Sequence, residues 1–132
     1  MQEFGQVELC IKNIRHLTKS DDEEEVEELE CPYLVISSGD SIIFDKLNYS
    51  KMGFHTVQQR HFVKLGEERI ISIKVYDGDI NEEEDRDDDF VAGIKVHTSH
   101  ILQSNCEHEQ FYELGDKDSK LGQILLNIRP IH

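Results

Sequence analysis

Apolar and polar residues alternate with a period of two along much of the chain. In VELCIKN, Val7, Leu9 and Ile11 share one side, while Glu8 and Lys12 take the other. IISIKVY and GQILLNIRPI repeat the same alternation. Because successive side chains of a strand point to opposite faces of its sheet, this period predicts β-strands with one buried face.

Less regular apolar stretches extend this pattern to the rest of the chain. PYLVIS, SIIFD, HTVQQRHFVKL, FVAGIKV and QFYEL bring the number of candidate strands to eight, with polar or glycine-containing turns between them. The pattern predicts an all-β fold, an eight-stranded antiparallel sandwich in one domain over residues 1–132. Helix is expected only as one turn in EEEVEELE and a short piece near HTSHILQS.

The formal net charge of −14 is concentrated in two runs. Residues 21–30 hold eight acids and residues 77–89 hold nine, together 17 of the 28 Asp and Glu residues. Outside these runs, 11 acids face 13 Lys and Arg residues, so the remainder is nearly neutral. The chain has no basic stripe that would bind phosphates, which argues against a nucleic-acid partner.

Both acidic runs lie between predicted strands, and alternate connections of a sandwich emerge at the same pole. Two unit charges 4 Å apart repel by roughly 4 kcal/mol at an effective dielectric of about 20, so adjacent acidic loops need a counter-ion. Calcium, with about 6–8 oxygen ligands, suits such a pole better than magnesium, which retains its waters. The alternative left open by composition is that both runs are simply solvated loops.

The spacing of the second run excludes one calcium motif. Asp77, Asp79 and Asn81 fall at positions 1, 3 and 5 of an EF-hand loop, but Glu82 stands where that loop needs glycine. A strand rather than a helix also precedes the run. What remains is an Asp-x-Asp pair directly after a buried strand.

At these residues the sequence resembles the C2 domain, a β-sandwich family that often binds calcium and phospholipid. ISIKVYDGD is similar to its strand followed by Asp-x-Asp, DDFVAGIKV to its Asp-aromatic-aliphatic-glycine continuation, and CPYLVISSG to its Asp-Pro-Tyr strand. LGQILLNIRP resembles the last strand of the type II topology. The resemblance runs from about Gly5 to Ile131 and departs at Gln58 and Ala92, where the family has tryptophan and glycine.

The resemblance implies a set of calcium ligands. Asp77, Asp79 and Asp89 match its bridging aspartates, and the longer loop adds Asp85 or Asp87. In the first run, Asp21 or Asp22 matches an early aspartate. At the aspartate of Asp-Pro-Tyr this chain has Cys31, whose neutral thiol is a poor ligand for a hard cation. The neighbouring Glu30 is the candidate ligand that would substitute for it.

Other chemistry is weakly indicated. The three cysteines form no CxxC motif. His97 and His100, or Cys106 and His108, have spacing that could suit a metal, but they lack the paired groups of a zinc site. No nucleophile elbow or phosphate loop is present, and acids at loop tips lack the apolar setting that raises a catalytic pKa. The sequence therefore predicts a protein that is not an enzyme. With no apolar run of membrane-spanning length and no signal-peptide profile, we expect it in the cytoplasm.

Two functions remain open. The first is a calcium-binding module that docks reversibly on membrane phospholipid through loops 20–31 and 77–91, with Val26, Leu29 and Ile80 as the apolar tips that contact the membrane. The second is a calcium-independent or calcium-tuned scaffold module that binds a basic protein surface. In either case we expect a cytoplasmic monomer, with peripheral membrane association in the first.

Overall fold

The computed structural model describes residues 5–15, 32–50, 53–56, 60–78, 89–115 and 120–131. Within these ranges most residues belong to strands. The elements are β1 (Gln6–Arg15), β2 (Pro32–Ser38), β3 (Ser41–Ser50), β4 (Gly53–Thr56), β5 (His61–Lys64), β6 (Ile70–Asp77), β7 (Asp89–His97), α1 (Ser99–Ser104), β8 (His108–Gly115) and β9 (Lys120–Ile131).

The strands form two antiparallel sheets that almost close on each other. The first sheet has the order β4-β3-β2-β6-β7, and the second has the order β8-β9-β1-β5. They are joined at one edge by Gly93 opposite Gly115 and at the other by Ile14 opposite Phe54. The predicted antiparallel sandwich is confirmed.

The described part of the chain has nine strands, whereas the pattern predicts eight, because HTVQQRHFVKL forms two. β4 pairs with β3 of the first sheet and touches β1 at Ile14, while β5 pairs with β1 alone, four residues long. This segment crosses from one sheet to the other, so its ladder is interrupted. The short helix expected near HTSHILQS is α1; the turn expected in EEEVEELE lies outside the described residues.

The apolar sides of both sheets meet in one core. As predicted, alternation directs the apolar side chains of β1, β6 and β9 into the core. Each fully buried Val, Leu or Ile contributes about 1.5–3 kcal/mol to the free energy of unfolding. In β7 a bulge opposite Val75 and Tyr76 breaks the alternation, so that Val91 and Ala92 are both buried. The largest fully buried side chains include Leu9, Leu34, Ile36, Ile73, Leu126 and Ile128.

One polar pair lies inside this core. Nε2 of His61 on β5 is 3.0 Å from Oδ2 of Asp45 on β3, and both side chains are almost fully buried. Although the two atoms are close, their geometry is not that of a hydrogen bond from His61 Nε2. Burial lowers the pKa of His61 below its ordinary value, and the Asp45 carboxylate opposes that shift. The pair links the first sheet to the second.

The two poles of the sandwich differ. Strands β1, β3, β6 and β8 run toward one pole, which we call the acidic pole because both acidic runs connect there. At the opposite pole two turns pack backbone against backbone: a Cβ built on Gly39 would lie 2.9 Å from Cα of Gly66. Ser38 donates its hydroxyl to the Ile70 carbonyl at 2.8 Å and accepts from the Gly66 N–H at 2.9 Å, which fixes this close approach.

Candidate functional site

Three neighbouring strands end at the acidic pole beside the acidic runs. Asp77, the last residue of β6, pairs with Pro32 at the start of β2 and with Asp89 at the start of β7. Residues 16–31 lead into Pro32, and residues 78–88 connect Asp77 to Asp89. Since adjacent strands lie about 4.8 Å apart, both runs attach within about 10 Å of each other.

Asp77 is the predicted ligand whose side chain the structure describes. Alternation directs it to the inner side of the first sheet, where it is 9% exposed. A carboxylate at the mouth of the sandwich, at the end of a rigid strand, has the oxygen chemistry and fixed position that a calcium ligand requires.

The other predicted ligands stay predictions. Asp89 belongs to β7 by its backbone. Asp21, Asp22, Glu30, Asp79, Asp85 and Asp87 lie outside the described residues, as do Cys31 and the predicted membrane-contact residues Val26, Leu29 and Ile80. Within the described ranges, no group of three His, Cys, Asp or Glu side chains has the arrangement to hold a metal ion.

An aromatic row supports the base of this pole on the outer side of the first sheet. The rings of Tyr33 and Tyr76 stack with centroids 5.7 Å apart, and Phe90 meets Tyr76 edge to face at 5.6 Å. Such pairs add about 0.5–1.5 kcal/mol each beyond their burial. The row joins β2, β6 and β7 one residue from Pro32 and Asp77, so it holds the attachment points of both runs together.

The sequence analysis did not find this row, although a signal for it exists. Each of the three strands carries an aromatic residue at the outward position nearest the acidic pole. Aligning the three strand ends by their acidic neighbours would bring Tyr33, Tyr76 and Phe90 into register. The bulge that shifts Phe90 relative to Ala92 hides the match from simple alternation.

Comparisons with solved structures identify the fold. A structure of the SMP domain and two C2 domains of Extended-Synaptotagmin 2 is similar at a TM-score of 0.71 and 15% identity, over 98% of this chain and 27% of that one. The calcium-bound pair of C2 domains of Extended-Synaptotagmin 2 matches at 0.69 and 14%, over 98% and 46%. A single C2 domain matches at 0.62 and 18%, over 97% and 99%.

The chain therefore has the fold of a C2 domain, as the sequence resemblance implied. It spans between about a quarter and a half of the two Extended-Synaptotagmin 2 chains that it matches. No protein-family model and no curated protein sequence matches it. Within the described ranges, no helix has the length and apolar character needed to cross a bilayer.

Proposed function

We propose that the protein is a calcium-responsive C2 module that docks reversibly on membrane phospholipid through loops 20–31 and 77–91. The observation that carries the proposal is the register of β2, β6 and β7, in which Pro32, Asp77 and Asp89 are neighbours. This register attaches two runs holding 17 acids to one end of one sheet. Bound calcium is the economical way to offset that repulsion.

Calcium also supplies the link to lipid in this proposal. Two calcium ions change the formal charge from −14 to −10, so an anionic leaflet near −30 mV still repels the pole as a whole. Attraction must therefore come from calcium that bridges loop carboxylates and lipid phosphates, aided by Val26, Leu29 and Ile80. The module acts by binding, without catalysis, in the cytoplasm and at the membrane surface.

The proposal is tested by calcium and magnesium titrations followed by amide NMR and by melting temperature. At about 100 times the dissociation constant, calcium adds ~2.7 kcal/mol to the free energy of unfolding. That corresponds to a rise in melting temperature of roughly 10 °C for a domain of this size. Amide shifts are expected near residues 20–31 and 77–91, with a much smaller response to magnesium.

A pair of matched variants separates the site from general charge effects. Asp77→Asn with Asp79→Asn removes two predicted ligands and abolishes the calcium-induced rise. Glu67→Gln with Glu68→Gln removes the same charge from an exposed turn at the opposite pole and leaves the rise intact. In sedimentation with phosphatidylcholine–phosphatidylserine vesicles, calcium-dependent binding is likewise lost in the aspartate variant and kept in the glutamate variant. A calcium response that survives in the aspartate variant would show that the ligands are elsewhere.

A second candidate function is a calcium-independent scaffold module that binds a basic protein surface, and Cys31 favours it. Its thiol stands at a position where the resemblance implies a carboxylate. If Cys31 weakens a calcium site, Cys31→Asp raises calcium affinity about tenfold, or ~1.4 kcal/mol. If the acidic pole binds a basic protein instead, titration calorimetry shows no calcium binding to the wild type or to the Cys31→Asp variant.

A further inference from the structure

Two histidines meet at the pole opposite the acidic runs, where α1 leads into β8. His100 lies on α1, and His108 is the first residue of β8. Their ring centres are 5.4 Å apart, and the ring planes meet at 82°. Spacing along the sequence groups His100 with His97 and His108 with Cys106, whereas the folded chain combines one member of each group. We call His100 and His108 the histidine pair.

The backbone holds both members of the pair on regular elements. Ile101 is fully buried and anchors α1 in the core, while His100 and Ser104, four residues apart, lie on one exposed side of the helix. The helix ends at Asn105, whose left-handed conformation (φ 55°) turns the chain back. The chain then enters β8 at His108 and pairs with β9. A site built on a helix and a strand keeps its geometry better than one built on loops.

A chain of hydrogen bonds determines which nitrogen of His108 is free. The Ser104 hydroxyl donates to the Ile101 carbonyl at 3.2 Å and lies 3.1 Å from Nε2 of His108. Because a hydroxyl has a single proton, Ser104 accepts in the second contact, so Nε2 of His108 carries the proton and Nδ1 keeps its lone pair. Metal-binding histidines share this arrangement, in which the nitrogen remote from the metal donates a hydrogen bond that orients the ring.

The separation of the two rings suits a shared metal ion. Imidazole nitrogens bind zinc at about 2.0–2.1 Å, so two rings that meet a zinc ion at a tetrahedral angle have centres about 5 Å apart. The observed 5.4 Å is close to that value. Since His100 is exposed, rotation of its side chain between staggered positions can direct a ring nitrogen to the same ion as Nδ1 of His108.

The acidic side chains beside the histidine pair are directed elsewhere. Glu107 and Glu109 flank His108, and both accept hydrogen bonds from Asn127 on the outer side of the second sheet. Within the described ranges, no group of three His, Cys, Asp or Glu side chains has the arrangement to hold a metal ion. The pair therefore offers two nitrogen ligands without a carboxylate. Imidazole favours zinc, nickel and copper over the hard ions calcium and magnesium.

We propose that the histidine pair is a binding site for a divalent transition-metal ion such as zinc or nickel. Nδ1 of His108 and one ring nitrogen of His100 bind the ion, and water completes its coordination. Ser104 is a positioning residue, because it contacts His108 and not the metal. The site is independent of the calcium function proposed above, since it lies at the opposite pole and uses different ligand chemistry.

A nickel titration followed by amide NMR locates the site, because bound Ni²⁺ is paramagnetic and broadens the signals of nearby amides. The titration uses the full chain with calcium and magnesium in excess, which compete for the carboxylates of the acidic runs but are bound poorly by imidazole. Below one equivalent of Ni²⁺, we expect the amide signals of residues 98–109 to disappear before those of the rest of the chain. Earlier loss at the acidic runs, or uniform loss, overturns the proposal.

Matched histidine variants identify the ligands. Zinc binding is measured by titration calorimetry, with the same excess of calcium and magnesium, on wild type, His100→Gln, His108→Gln and His97→Gln. Loss of an outer partner of a metal site costs about 10–100-fold in affinity, so loss of one of two ligands is expected to weaken zinc binding at least about tenfold. His97→Gln makes the same change three residues from His100 and leaves the affinity unchanged. Equal losses in all three variants, or full affinity in His100→Gln or His108→Gln, would refute the assignment.

Two further positions separate positioning from ligation. Ser104→Ala removes the hydroxyl that orients His108 and is expected to weaken zinc binding about tenfold, whereas Ser104→Thr keeps both the hydroxyl and the affinity. Ring-nitrogen NMR shifts of His108 are expected to show the Nε2–H form in wild type and a mixture of forms in Ser104→Ala. Full zinc affinity in Ser104→Ala overturns the positioning role, and loss of zinc binding in Cys106→Ser overturns the two-histidine site by showing a thiol ligand. Melting curves confirm that each variant is folded.

Discussion

The two outer faces of the sandwich solve the same problem in opposite ways. On the outer side of the second sheet, which we call the paired face, several cations meet a carboxylate or an aromatic ring across neighbouring strands, as Lys12 meets Glu109 and Arg15 meets Phe111. On the outer side of β3, β2, β6 and β7, which we call the lysine face, none of Lys46, Lys74 and Lys95 forms an ion pair within the described residues. Both faces belong to equally regular antiparallel ladders, so strand geometry does not account for the difference.

The difference concerns how each sheet is stabilised. Cross-strand pairs contribute about 0.2–1 kcal/mol each. A face that leaves cations unpaired gives up that contribution to stability. The ion pairs among the described residues therefore stabilise the second sheet more than the first.

The largest expected effect comes from the residue pair that joins the sheets beneath these faces. His61→Leu removes the imidazole and leaves the Asp45 carboxylate buried without its histidine. We expect a loss of about 3 kcal/mol in the free energy of unfolding, measured by urea titration. The double change Asp45→Leu with His61→Leu recovers much of the loss, because it removes the buried charge as well. A double variant less stable than the single one would contradict this account.

The next effect compares the faces directly. Arg60→Met with Arg129→Met deprives Glu8, whose side chain is 11% exposed, of both cations. We expect a loss of about 1.5 kcal/mol in the free energy of unfolding. Lys74→Met with Lys95→Met, the matched change on the lysine face, is expected to stay within about 0.5 kcal/mol of wild type. Equal losses on both faces would remove the distinction between them.

A smaller effect is expected from pH. Burial lowers the pKa of His61, so below the ordinary value of 6.5 the unfolded chain binds a proton that the folded protein does not. The free energy of unfolding therefore falls as pH drops from about 7.5 to about 5.5, by at most ~1.4 kcal/mol per pH unit for one proton. Comparing wild type with His61→Leu isolates this slope from the other histidines. If the free energy of unfolding instead rises as pH drops through this window, and His61→Leu does not show the rise, the pKa of His61 is raised rather than lowered.

The smallest change would turn one face into the other. Ser72 on β6 lies opposite Lys95 on β7, and Ser72→Glu creates a cross-strand ion pair. We expect a gain of about 0.5 kcal/mol in the free energy of unfolding, measured by urea titration. Ser37→Glu, opposite Ile42, offers no lysine in register and serves as the control. A gain of the same size from Ser37→Glu would show that pairing with Lys95 is not the cause.

Particular residues show how much of this structure alternation predicts. β1, β6 and β9 are half-buried strands, so Leu9, Ile73 and Leu126 reveal their faces directly. The buried face of β7 is harder to predict from the sequence, because a bulge turns Val91 and Ala92 to the same side. The division of β4 from β5 depends on two sheets sharing one segment, which is a tertiary property.

The candidate site divides in the same way. The position of Asp77 at the end of a buried strand, and the acidic pole it belongs to, follow from pattern and from the general topology of sandwiches. The buried pair does not, since Asp45 and His61 lie 16 positions apart on different sheets and neither lies in a recognisable motif. Contacts between distant strands decide such pairs, and the lysine face emerges only when four strands are set in register.

The aromatic row gives the protein a built-in optical reporter. The chain has four tyrosines and no tryptophan, so its ultraviolet fluorescence and near-ultraviolet circular dichroism come mainly from tyrosine. Tyr33 and Tyr76 are stacked 5.7 Å apart one residue from the attachment points of both acidic runs. Their transitions couple at that distance, and a change at the pole that shifts β2 against β6 alters the coupling. Events at the acidic pole can thus be followed in the unlabelled protein, with Tyr76→Phe as the variant that silences the signal.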